Sequence, residues 1–319
     1  MTWLAFGVTL AGTTLELYSS WWGVFLRGMN QVLASTRILV VVYLIRIVLS
    51  CALLLAGGKL LSIPVASFLT SLLMRYWTRR GCLGFLAVQP SPPPSRTELF
   101  SLLRILWPNS WRIGVQFFSG YLTTNANTFI CLKVFGPAAN AQYGLTLQLL
   151  NILAIMAGVW VSVKWPVISQ YRARHDASSL RKTFWPRLWL FKLSYLLMAA
   201  VAVLTLPYVL EWLGTNKSML PQPWLSLTAV YIFFEGQLTV WATLIITENR
   251  LPFLWPFVAT NLFSLGLVLT LVHFTSLGLG SLILGPLIAG SLLNYWYWPI
   301  EGARSLQTGW RRFLFSRPA

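Results

Sequence analysis

The stretch YLTTNANTFICLKVFGPAANAQYGLT, Tyr121 to Thr146, decides how this chain is read. Its first half sets Thr123, Thr124, Asn125, Asn127 and Thr128 inside an otherwise apolar run. Its second half, FGPAANAQYGLT, reads as the turn between two helices. Apolar segments flank it, over 111–133 and 141–165. Segments of that length match a hydrocarbon core roughly 30 Å thick. The stretch therefore reads as two membrane-crossing helices joined by a tight turn. Polar side chains are costly in hydrocarbon, so the Thr/Asn face needs partners.

The rest of the chain agrees. Of 319 residues, 56% are hydrophobic and only 10% are charged, with a mean hydropathy of +0.67. A soluble fold cannot hide that much apolar surface, so the composition is that of an integral membrane protein. The apolar runs are too long for the alternating segments of an outer-membrane barrel. The expected fold class is all-α, a polytopic membrane helical bundle. The candidate spans are 3–26, 38–56, 58–75, 111–133, 141–165, 188–207, 224–246, 252–274 and 277–298. The first is the weakest, because Thr13, Thr14, Glu16, Ser19 and Ser20 interrupt it. Gly57 and Gly58 turn the chain between the second and third, and Pro64 starts or kinks the next helix.

The net charge of +17 is mostly topology. Arginines and lysines gather around the loops after spans one, three, five and seven, and in the tail with Arg304, Arg311, Arg312 and Arg317. These loops alternate, so one side of the membrane takes them. The positive-inside rule makes that side cytoplasmic, with the C-terminus inside and the N-terminus outside. Attraction to anionic membrane lipids follows, and a nucleic-acid partner is not needed to explain the charge. The opening MTWLAFGVTL has no basic residue, so it is not a typical signal peptide. An exported N-terminus without a leader suggests further sequence upstream.

The segment QPSPPPSRTE (89–98) is an extended, semi-rigid linker. It divides the chain into a partial N-terminal lobe of three helices (1–88), a cytoplasmic linker with an interfacial stretch (89–110), a C-terminal six-helix lobe (111–299) and a basic cytoplasmic tail (300–319). LFSLLRILWPNSW (99–111) is expected to lie at the membrane surface.

Within the spans, Asn125 and Thr128 share a helix face, and Asn127 lies aside. Gln148 and Asn151 face together on the next span, with Thr146 nearby. These residues form either interhelical hydrogen-bond glue or the wall of a wetted cavity. Intramembrane charges point to function or to structural ion pairs. Glu235 stands mid-span with Gln237 close by, Glu16 in the first span and Arg46 in the second. Lys192, Lys164 and Lys133 sit near span ends, where they snorkel. Most tryptophans, including SSWWG (19–23) and NYWYWP (294–299), suit interfacial belts, with sugar stacking as the other reading. The cysteines Cys51, Cys82 and Cys131 are solitary and no metal spacing exists. The loop acids Glu98, Asp176, Glu211, Glu248 and Glu301 are scattered, and no phosphate-cradling loop is present. No enzyme activity and no cofactor is expected.

The order of residues over 103–176, above all FGPAANAQYGLTLQL (135–149), resembles bacterial O-antigen and polysaccharide repeat-unit flippases. These belong to the multidrug/oligosaccharidyl-lipid/polysaccharide exporter superfamily. FLRGMNQV (25–32), TENRLPF (247–253) and LLNYWYWP (292–299) add to the likeness. The resemblance implies about twelve helices in two lobes of six around a cavity that opens to each side in turn. It implies a bacterial inner-membrane protein of lipopolysaccharide biosynthesis and polysaccharide export, and polysaccharide-assembly proteins as partners. A polyprenyl-pyrophosphate-linked glycan would cross. Asn125, Asn127, Thr128, Gln148, Asn151 and Gln237 would line the cavity, Arg27, Arg46 and Lys164 would attract the pyrophosphate, and Glu235 and Glu16 would serve a coupling ion. Three spans before the linker, against six after it, look like a first lobe lacking its first three helices. A cation-coupled drug exporter of the same superfamily, a membrane polymerase or ligase, and a non-transporting remnant are the alternatives.

Overall fold

The computed structural model describes residues 2–29, 31–85, 95–214, 218–248 and 250–306. Most of the proline linker, Lys217 and the tail arginines beyond residue 306 lie outside the described residues. Among the described residues there is no β-strand; the chain is an all-α bundle. Seven of its helices are long and apolar enough to cross a membrane. The chain divides into two compact units, Met1–Ser95 and Arg96–Ala319.

The first unit holds three helices, α1 (Thr2–Gly28), α2 (Val32–Leu55) and α3 (Ser62–Phe85). The expected turn is present: Gly57 takes φ +84° and Pro64 falls in the first turn of α3. Helix α1 forms over the expected range but is not among the seven apolar spans. Its hydroxyls explain how it stays helical. Thr9, Thr13, Thr14 and Ser19 each donate to the carbonyl four residues back, at 2.6–2.9 Å. Such back-bonding satisfies a hydroxyl without any partner helix. Leu26, Val42, Ala66 and Cys82 form the small core, while Val48 and Leu55 on α2 face outward.

The second unit starts with α4 (Arg96–Ser162). It is two helices in sequence, broken at Gly136 with φ 86° and ψ 176°. That conformation suits glycine, and Pro137 then opens the second half with a preset φ. The first half is about 60 Å long at 1.5 Å per residue. The stretch 99–110 is thus part of this helix and not a separate surface element. Its leucines favour helix, and Pro108 falls on an exposed face, so the carbonyl it leaves unpaired is not trapped in a core. A short α5 (Trp165–Ala173) leads to α6 (Ala177–Trp212), whose N-terminus is capped by Asp176 accepting from the Ser179 amide at 3.0 Å.

Helices α7 (Trp224–Ile246) and α8 (Leu254–Phe274) match their expected spans closely. The last expected span, 277–298, does not run as one helix. It becomes α9 (Ser281–Leu292) and α10 (Asn294–Ser305), separated at Leu293 by φ −135° and ψ −58°. The core of this unit gathers Leu150, Ile168, Phe184, Leu225, Trp241 and Trp298, all buried. Trp298 is therefore a core residue and not a belt residue: its indole donates to Asn294 Oδ1 at 3.0 Å, and its ring meets Phe253 edge-on.

Candidate functional site: a carboxyl among tyrosines

Glu235 lies mid-way along α7 and is half-buried. The Tyr295 phenol donates to its Oε1 at 2.7 Å. Tyr295 reaches it because the chain breaks at Leu293 and turns the ring back over Gly290. A Cβ at position 290 would stand 2.2 Å from Cζ of that ring, so only glycine leaves it room. The ring also stacks on Phe234 at 4.9 Å. Tyr231, one turn earlier on α7, lies close to the same carboxyl. Beyond it stand Tyr143 on the second half of α4 and Asn127 on the first half. Asn127 is buried, and its Oδ1 has no hydrogen-bond partner among the described residues. A carboxyl, three phenols and an unsatisfied amide oxygen thus meet inside an apolar unit. Buried polar groups are costly without partners, so such a group is a candidate for binding a proton, cation or hydroxyl-rich ligand.

The other expected cavity residues are placed differently. Asn125 donates to the Tyr121 carbonyl at 2.8 Å, Thr128 to Thr124 at 3.0 Å, and Asn151 to Leu147 at 2.8 Å. Each polar group is answered by its own helix one turn back. Gln148 is exposed, like Asn125 and Asn151, and Gln237 is half-buried two residues from Glu235. Thr146, by contrast, is buried and accepts from the Leu220 amide at 3.0 Å, so it holds the chain ahead of α7 against α4.

In the first unit the structure pairs two residues that were expected in separate roles. Arg46 Nη2 donates to Glu16 Oε2 at 3.1 Å, and its Nε donates to Thr70 at 3.0 Å. The three helices are thereby cross-linked at one level, and the guanidinium also stands 5.3 Å from the Tyr43 ring. Arg27 is exposed, with a long 3.5 Å contact to Ser35. Lys164 is half-buried and precedes α5.

A second polar centre escaped the sequence reading. Glu248 and Glu301, scattered in sequence, converge with Arg172, Arg250, Arg304 and Ser305. Arg172 donates to the Ser305 carbonyl and hydroxyl, both at 2.7 Å, and pairs with Glu248 at 3.2 Å. Arg250 donates to the other Glu248 oxygen and lies 3.9 Å from Glu301, which Arg304 meets at 3.4 Å. Burial pushes the Glu248 carboxyl up. The Ser305 and Arg250 hydrogen bonds and the charges of Arg172 and Arg250 outweigh that and hold it below its ordinary value. This cluster caps the C-terminal end of α10, where carbonyls attract cations. Its only trace in the sequence is Arg172 on α5, the pair Glu248 and Arg250 in the α7–α8 loop and the pair Glu301 and Arg304 on α10, which has no period to reveal it.

No family model matches this chain, and neither a curated protein nor a solved structure does.

Proposed function

We propose that this chain is a flippase, translocating lipid-linked oligosaccharide or polysaccharide repeat units across the cytoplasmic membrane by alternating access. The observation that carries the reading is the Glu235 centre: a carboxyl bonded to Tyr295 and flanked by Tyr231, with the Asn127 Oδ1 nearby lacking a partner among the described residues, inside a membrane-spanning unit. Intramembrane carboxyls facing a bundle interior mark ion and substrate paths, and phenol and amide groups suit sugar hydroxyls. The lipid tail stays in the bilayer while the polar headgroup passes along such groups.

The test uses proteoliposomes loaded with a fluorescent polyprenyl-pyrophosphate glycan, with a membrane-impermeant quencher to report its side. Glu235→Gln should slow the exchange about tenfold, the size of an ordinary coupling free energy, with an unchanged melting temperature. Transport at the wild-type rate in that variant would remove Glu235 from the mechanism. The same centre favours one other reading, a cation-coupled exporter, because the Phe234 and Tyr295 rings stack beside the carboxyl and suit an organic cation. Efflux of a cationic dye with no glycan exchange would select it.

A further inference from the structure

Five arginines stand at one end of the first unit with no carboxylate of that unit to answer them. Glu16 is the sole acidic residue within 1–95, and Arg46 takes it. Helices α1 and α3 run parallel, since Gly12 meets Phe68 and, further along both, the Cys82 thiol donates to the Trp22 carbonyl at 3.2 Å. Arg75, Arg79 and Arg80 on α3 therefore lie toward the same end as Arg27 on α1 and Arg37 on α2. The positive-inside rule places that end at the cytoplasmic leaflet.

Arg75 is distinct among the five. Its guanidinium lies 4.6 Å over the Tyr18 ring, yet its Nη1 is buried with no hydrogen-bond partner among the described residues. One turn beyond Tyr18 on the same face of α1, the Trp22 indole Nε1 is likewise buried and unpartnered. Two donors without acceptors, one of them cationic, thus lie about one helical turn apart along this face of α1. A buried unsatisfied donor costs free energy that an acceptor would recover. Tyr18 is 61% exposed and Arg75 half-buried, so the guanidinium packs against a ring that reaches the outer surface of these helices. An anion with several oxygens supplies the acceptors that such donors lack, and a guanidinium fork matches phosphate.

We propose that the Arg75–Trp22 pair is a binding site for the phosphate group of an anionic membrane lipid, with Arg27, Arg79 and Arg80 supplying the surrounding positive field. The site holds whether or not the chain transports glycans. Its phosphate comes from a bilayer phospholipid or from a polyprenyl phosphate.

The full chain in detergent micelles, titrated by native mass spectrometry with phosphatidylglycerol, undecaprenyl phosphate or sodium phosphate, tests this. Phosphatidylglycerol should bind, and Arg75→Gln should weaken it about tenfold, as expected for a lost charge-assisted bond. Trp22→Phe should weaken it about threefold, while Arg37→Gln, an exposed arginine at the same end, should leave it within about twofold. Tighter binding of undecaprenyl phosphate, lost equally in Arg75→Gln, upholds the site and assigns it to a carrier lipid. Equal competition by sodium phosphate overturns the lipid assignment. Unchanged lipid binding in both Arg75→Gln and Trp22→Phe overturns the site, and Trp22→Phe decides alone if Arg75→Gln fails to fold.

Discussion

At the scale of single residues, the centre turns on Tyr295. Its hydroxyl bonds Glu235, its ring stacks on Phe234, and its place depends on Gly290. These three roles separate by mutation. Tyr295→Phe keeps the ring and loses only the donor, so it should cost about 1–2 kcal/mol, read as a lower melting temperature in detergent. Gly290→Ala should cost about 1–3 kcal/mol, because the new methyl group forces the ring aside. If the clash with Tyr295 is the cause, adding Tyr295→Ala to Gly290→Ala should make the Gly290 change nearly free. A Gly290→Ala penalty that persists in that background would point to some other contact.

At the scale of elements, α10 is held by the Arg172–Glu248 cluster rather than by apolar packing alone. Both side chains are mostly buried, at 18% and 16% exposure. Glu248→Gln leaves the Arg172 charge without its partner and should cost about 3 kcal/mol. The cluster also sets an acid limit. Glu248 has its carboxyl depressed on folding, so its contribution is fully present above its unfolded value of 4.5 and is lost as the pH falls below that. Melting temperatures at pH 7 and pH 4 should therefore differ more in the wild-type chain than in Glu248→Gln. Equal pH dependence in the two would show that other groups govern acid unfolding. The elements themselves were largely legible, and the reason is local. Apolar runs of membrane-spanning length, with Gly57 and Gly136-Pro137 between them, mark α2, α3, α4, α7 and α8. The break at Leu293 was not legible, because no turn residue stands there and the contact it permits, Tyr295 with Glu235, is made on another helix. The ion cluster was hidden for the same reason: its members come from α5, the α7–α8 loop and α10. The Thr/Asn run was legible as an anomaly but not as a solution, since most of its members bond their own helix.

At the scale of the molecule, the break at Gly136 decides how many times the chain crosses the membrane. Counted as one long helix, α4 crosses once. Broken at Gly136, its two halves cross in opposite directions, as the apolar segments 111–133 and 141–165 require. The two counts predict different sides for points on either side of α4. From Ala56, after α2, to Thr275, after α8, the broken helix gives six crossings: α3, both halves of α4, α6, α7 and α8. Those two residues then lie on the same side. A single crossing by α4 would put them on opposite sides. Ala173, the last residue of α5, is three crossings before Thr275 and lies opposite it under either count. By the positive-inside rule the basic residues around Ala173 predict a cytoplasmic side for it. All three positions are exposed, which suits cysteine labelling. With Cys51, Cys82 and Cys131 replaced, single cysteines at these positions would be treated with an impermeant maleimide in intact cells. Thr275→Cys and Ala56→Cys should label, and Ala173→Cys should label only after the membrane is opened. Labelling of Thr275→Cys without Ala56→Cys would mean that α4 crosses once and that Gly136 is a bend within one span. Labelling of Ala173→Cys alone would reverse the orientation and put the arginine-rich ends of the helices outside, against the charge bias that the whole sequence carries.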